Sequence, residues 1–147
     1  MIITFDTGIL VRATPASKGP ARRLIESLAN NPAHTLATSE FILGEVGKVL
    51  SYPRMEALLG IDSRGIREYL GFLRSVSKIE HPVRGLPVVL NDPSDDPIVY
   101  TAVTARADVL CALDRHLHAP NVVAFCKSRN IAVLTDLELL NRLQLLR

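Results

Sequence analysis

Four acidic residues stand where a carboxylate is hard to explain by solubility alone. Asp6 closes the short apolar run Ile2–Phe5, and Asp114 closes a second one over residues 109–113. Asp96 stands directly before Pro97, at the end of the segment Asn91-Asp92-Pro93-Ser94-Asp95-Asp96. Glu45 lies inside a stretch with helical apolar spacing. Carboxylates gathered in one place repel unless a cation sits among them. An oxygen-only ligand set suits Mg²⁺ or Mn²⁺, which keep several waters. A divalent ion held this way can polarise a bound oxygen or activate a bound water.

Each acid also has a plainer reading. Asp6 and Asp114 could simply cap the helix or turn that follows, and Asp96 could cap the helix that Pro97 begins. Glu45 is the most telling of the four. On a helical wheel with Phe41 at 0°, Glu45 falls at about 40°, Val49 at about 80°, Ile42 at about 100° and Val46 at about 140°. That places Glu45 within the apolar stripe, where an ionised carboxylate calls for a metal ion or a buried arginine, or else must snorkel outward. Asp92 and Asp95 fit supporting positions in the same loop, beside the acids that hold the ion.

The elements that must position these acids follow from the apolar periodicity. A strand is expected at Ile2–Phe5, then a helix from Pro20 with Ala21, Leu24, Ile25 and Leu28 on one face, stopped by Asn30-Asn31-Pro32. Residues 35–38 make a second strand. Ser39 can cap a helix over residues 40–51, and Asp62 or Ser63 opens another with Ile66, Tyr69, Leu70, Leu73 and Val76 inward. A polar third strand is expected over 78–83 and a helix from Pro97. A buried strand follows over 109–113, a helix from Pro120 and a fifth strand over 131–134. Thr135 and Glu138 form a capping box for a last helix. Strand and helix alternate from end to end, which predicts an α/β fold with a mostly parallel, about five-stranded sheet covered on both faces. In such a sheet ligands bind beyond the carboxyl ends of the strands, where Asp6 and Asp114 are expected.

The 147 residues suit a single domain, 1–147. Hydrophobic residues make up 48% and charged ones 22%, which provides for a packed core and argues against disorder. A net charge of +2 is too small to mark a nucleic-acid binder, so any basic groove must come from clustering. Arg12, Lys18, Arg22 and Arg23 are one cluster, readable either as a groove wall or as a solvated helix face. Cys111 and Cys126 both sit in apolar runs and read as buried thiols in a reducing compartment, not as zinc ligands. The N-terminus lacks a signal peptide's basic start, and no apolar run approaches the ~20 residues of a membrane span; a cytoplasmic protein is expected. The chain has no Gly-x-Gly-x-x-Gly, no Walker loop and no Gly-x-Ser-x-Gly elbow. His116 and His118 would hold a soft metal only from a strand, and their segment reads as a loop.

The ordered set resembles a known family. Asp6-Thr7 follows the first strand, Ser39-Glu40-Phe41-Ile42-Leu43-Gly44-Glu45 opens a helix, Asp92-Pro93-Ser94-Asp95-Asp96-Pro97 precedes another, and Asp114 follows the fourth strand. This is similar to the PIN domain, and in particular to the VapC-like toxins of toxin–antitoxin systems, over about residues 1–140. The resemblance implies a three-layer α/β/α fold with strand order 3-2-1-4-5. It also implies four primary acids at Asp6, Glu45, Asp96 and Asp114, with Asp95 an alternative one position from Asp96. Two departures stand out. Gly8 replaces a usual Asn, and Ala112 replaces a hydroxyl residue two positions before Asp114, so the surroundings of the ion are sparser than usual.

The resemblance implies a metal-dependent endoribonuclease, the toxin of such a pair, with Mg²⁺ or Mn²⁺ as cofactor. It would hydrolyse RNA with a metal-activated water and leave a 5′-phosphate and a 3′-hydroxyl. Asp6, Asp96 and Asp114 would be the main ligands, with Glu45 on a second ion or orienting the water. Thr7 and Ser39 would support them, and Arg12, Lys48 and Arg115 would hold the RNA backbone. A small antitoxin and a second copy in a homodimer are the expected partners; apolar residues near Tyr52, Leu58 or Phe72 are candidates for that interface, with the core an equal claimant on them. The alternative is a catalytically weakened module on the same fold that binds RNA or protein. A phosphatase of the haloacid-dehalogenase kind would need a second Asp where Gly8 stands.

Overall fold

The protein is described here from a computed structural model covering residues 1–145; the last two residues of the expected domain lie outside the described part. Strand β1 (Ile2–Phe5) leads into α1 (Thr7–Arg12) and α2 (Pro20–Ala29). Strand β2 (Thr35–Ser39) is followed by α3 (Glu40–Leu50), α4 (Pro53–Leu59) and α5 (Ser63–Val76), and β3 (Ser77–Glu80) ends this half. A 3-10 turn (Pro93–Asp95) opens α6 (Asp96–Ala105), and β4 (Val109–Cys111), α7 (Pro120–Lys127), β5 (Ala132–Leu134) and α8 (Asp136–Leu145) complete the chain.

All four strand pairings are parallel, in the order β3-β2-β1-β4-β5. Ile3 pairs with Leu36 on one side and Val109 on the other, and Leu110 pairs with Val133. The first three strands build outward in one direction, and β4 returns to the free side of β1. The order reverses between β1 and β4, so the loops leaving these two strands part and open a crevice at their carboxyl ends. Helices flank the sheet, and α6 lies across it, touching β1, β2, β3 and β4. Ile3, Leu110 and Cys111 from the strands and Ile9, Leu24, Ile42, Val99, Val122 and Leu139 from the helices are fully buried in one core.

Local signals account for most element ends. Pro20 occupies the first turn of α2, Ser39 Oγ accepts from Ile42 N at the start of α3, and Asp62 Oδ1 accepts from Gly65 N at the start of α5. The capping box closes as expected: Thr135 N donates to Glu138 Oε1 at 3.0 Å and Glu138 N to Thr135 Oγ1 at 3.2 Å. Two short helices were not anticipated. α1 forms because Asp6 caps it, and α4 forms because Pro53 sets its first turn and Gly60, at φ 61°, closes it. The fourth strand stops at Cys111, two residues early, and the expected strand over 78–83 runs instead over Ser77–Glu80.

Candidate functional site

Asp6 sits at the base of the crevice and is almost wholly buried, at 2% exposure. Its backbone N–H still belongs to the sheet, donating to the Cys111 carbonyl at 2.9 Å. Its side chain holds two segments at once, through three backbone donors. Oδ1 accepts from Ile9 N at 2.8 Å, which caps α1. Oδ2 accepts from Leu113 N at 3.2 Å and Asp114 N at 3.4 Å. Helix capping and membership of an acidic site are therefore not alternatives for this residue: the carboxylate that starts α1 also holds the turn that presents Asp114. Burial raises the Asp6 pKa and the Asp114 charge adds to that, while the three backbone donors oppose them.

Asp114 is half-buried, and its Oδ1 accepts from His116 N at 2.8 Å. Across from it, the loop before α6 brings in Asp92 and Asp95. One carboxylate oxygen from each of Asp92, Asp95 and Asp114 lies within 4.8 Å of the others, which makes this the one metal-competent group among the described residues. Asp95 carries the electrostatic consequence. Burial, the charges of Asp92 and Asp114, a hydrogen bond with Asp114 and the charge of Asp6 together push its pKa up to about 7. Among the described residues no lysine or arginine forms an ion pair with any of these four acids. A close set of oxygen donors that hold a proton among themselves, with no cation from the chain to neutralise them, fits a hard divalent cation.

The neighbouring pair Asp95-Asp96 is divided differently from the sequence expectation. Asp96, expected as a ligand or as a helix cap, stands inside the first turn of α6, and Oδ1 turns back to accept from Val88 N at 3.1 Å and Val89 N at 2.8 Å. Asp95, expected in a supporting position or as the one-residue alternative, is the one that meets Asp114. Asp92, also expected to support, joins the same group and accepts from Ser94 Oγ. The reason is the 3-10 turn: its tighter winding sets the register in which Asp95 faces the crevice and Asp96 faces the loop.

Glu45 is half-buried, but it flanks the buried stripe instead of lying within it. The stripe of α3 is Ile42, Leu43, Val46 and Leu50, and Phe41, the wheel's reference, is 37% exposed. Among the described residues no hydrogen bond or ion pair engages the Glu45 carboxylate, so neither a buried arginine nor a backbone cap accounts for it there. Thr7 is half-buried in the first turn of α1. Ser39 caps α3 and stands 2.9 Å from Thr101 Oγ1, which also donates to the Pro97 carbonyl at 2.7 Å. Sequence reasoning missed Thr101, a fully buried residue that joins the start of α3 to the first turn of α6; its place on the apolar face of α6 was the only signal. Arg12, Lys48 and Arg115 are exposed and form no ion pair among the described residues. His118 Nε2 lies 2.6 Å from the Ala112 carbonyl, held by the backbone. At Gly8 an added Cβ would stand 3.7 Å from Asp6 Oδ1, an ordinary contact, so the fold itself leaves room for a larger residue beside the acid.

Both cysteines are free and buried, and among the described residues no helix is long and apolar enough to cross a membrane. A family model described as a PIN domain matches residues 3–116. A solved structure described as VapBC2 from Rickettsia felis bound to a DNA fragment from their promoter is similar in fold, with a TM-score of 0.54 and 18% identity over 92% of this chain and 98% of that one. No curated protein matches the chain by sequence.

Proposed function

The chain belongs to the PIN-domain family, and from that premise we propose that it is a metal-dependent endoribonuclease, the toxin of a VapC-like toxin–antitoxin pair. The observation that carries the reading is the group Asp92, Asp95 and Asp114, with oxygens within 4.8 Å, set beside the buried Asp6 and in no ion pair with a cation among the described residues. Asp6, Asp95 and Asp114 would hold Mg²⁺ or Mn²⁺, with Asp92 and Glu45 at its margin. Such an ion would supply charge neutralisation at the phosphate and leaving oxygen, and would make a bound water easier to deprotonate than bulk water.

The chain's own residues supply the rest. Three backbone donors fix the Asp6 carboxylate, so it needs no reorganisation on binding. Asp95, with its pKa near neutrality, releases its proton as the site is loaded. Glu45, with no hydrogen-bond or ion-pair partner among the described residues, would orient the attacking water. Arg12, Lys48 and Arg115 would hold the RNA backbone at the rim. An antitoxin would cover the acidic crevice, and the exposed Tyr52 and Leu58 offer a surface for a second copy.

Asp6→Asn tests the reading. The amide oxygen can still accept at the α1 cap, while the NH2 that replaces Oδ2 loses the Leu113 and Asp114 donors; a thermal melt checks that the variant stays folded, and RNA cleavage in Mg²⁺ should fall at least about a hundredfold, the scale of losing a main electrostatic element. Cleavage at the wild-type rate would overturn the mechanism. A wild-type chain that neither cleaves RNA nor melts at a higher temperature with millimolar Mn²⁺ would be the weakened RNA- or protein-binding module instead.

A further inference from the structure

We propose that Asp96 is a positioning residue, which closes the loop that sets the spacing of Asp92 and Asp95 against Asp114 without itself touching the ion; this rests on the metal-site reading above. The loop before α6 is closed by a chain of hydrogen bonds. Asp96 Oδ1 accepts from Val88 N and Val89 N. The Val89 carbonyl accepts from Asp92 N at 3.1 Å, and the Asp92 carbonyl accepts from Asp95 N at 3.0 Å. The bonds therefore run from Asp96 back to Val89 and forward again through the two acids of the crevice. Val88 and Val89 are buried, at 5% and 0% exposure, so their amides have no ready access to water if Asp96 is lost.

The remaining anchors hold only the outer part of this loop. Asn121 Nδ2 donates to the Val88 carbonyl at 2.8 Å, and Tyr100 Oη donates to the Leu86 carbonyl at 2.6 Å. Both engage carbonyls at or before residue 88. Asp96 is the side chain that secures the amides at the base of the acid-bearing turn, with a single oxygen that an asparagine could also provide. A ligand and a loop clamp thus make opposite demands on the substitution: a ligand needs the negative charge, and the clamp needs only the acceptor.

Mn²⁺ titration calorimetry on the full chain at pH 8 separates them, using wild type, Asp96→Asn, Asp96→Ala and Asp95→Asn. The expected result is Mn²⁺ affinity within about threefold of wild type for Asp96→Asn and about 10- to 100-fold weaker for Asp96→Ala, the range for residues that orient ligands. Asp96→Asn falling as far as Asp95→Asn, or Asp96→Ala binding like wild type, would overturn the proposal. Amide exchange by NMR on the metal-free proteins gives a second readout. Val88, Val89, Asp92 and Asp95 should stay protected in wild type and Asp96→Asn and exchange faster in Asp96→Ala. Should wild type bind no Mn²⁺, the ribonuclease reading fails while amide exchange still decides the clamp: equal exchange in wild type and Asp96→Ala rejects it. Should Asp96→Ala fail to fold, wild-type-like affinity and protection in Asp96→Asn support the clamp, and their loss rejects it.

Discussion

Replacing Asp95 with Asn should make the metal-free protein more stable above neutral pH. Crowding by burial and by Asp92, Asp114 and Asp6 lifts the Asp95 carboxyl from 3.8 to about 7. Between those values the folded chain holds a proton that the unfolded chain has released, so stability falls as pH rises through the window, and the loss is complete above about 7. The gap is about 3 pH units, and at about 1.4 kcal/mol each the full linkage is about 4 kcal/mol. Asp95 is only half-buried, and solvent screening reduces this to roughly 2 kcal/mol. Asparagine keeps the shape and carries no charge at any pH. Thermal melts of both proteins in EDTA, from pH 4 to pH 8, should coincide at the acid end and separate by about 4–8 °C at pH 8, the variant being the higher. Millimolar Mn²⁺ should raise wild type selectively and reduce or reverse the difference. A gap between the two proteins that does not change with pH would refute the argument, because it would mean that Asp95 titrates alike in the folded and unfolded chains.

Two further substitutions probe the frame around the site. At Gly85 an added Cβ would overlap Tyr100 Oη and its ring, which anchors Leu86; Gly85→Ala should cost about 1–3 kcal/mol in urea unfolding, and an unchanged midpoint would show that the loop yields freely. Thr101→Val removes the hydroxyl shared with Ser39 and the Pro97 carbonyl inside the core. It should cost about 1–2 kcal/mol and weaken Mn²⁺ binding if α3 and α6 must stay joined; wild-type stability would show that this link contributes nothing.

The amino-acid sequence by itself determined the alternation of strands and helices. Each element is specified by a local period or a local cap, such as the apolar spacing of α2 or the Thr135–Glu138 box. It also determined that Asp6 and Asp114 follow strands, because both acids end apolar runs, and the family resemblance added the strand order that makes those strands neighbours. The two short helices escaped it: Pro53 read as a stop when it was also a start, and Asp6 could be read as capping a helix or a turn, with nothing local to decide that Thr7–Arg12 is helical. Tertiary structure alone decided the division of labour between Asp95 and Asp96. Adjacent residues of one type have the same propensity, and only the 3-10 turn, with Val88 and Val89 brought to one side and Asp114 to the other, gives them different surroundings. The same holds for Glu45. The wheel located its face relative to Phe41, but which part of that face meets the core depends on how α3 packs against α1, α5 and α6. Period is written in the chain one residue after another; orientation is set by partners far away in sequence, and it exists only once they have met.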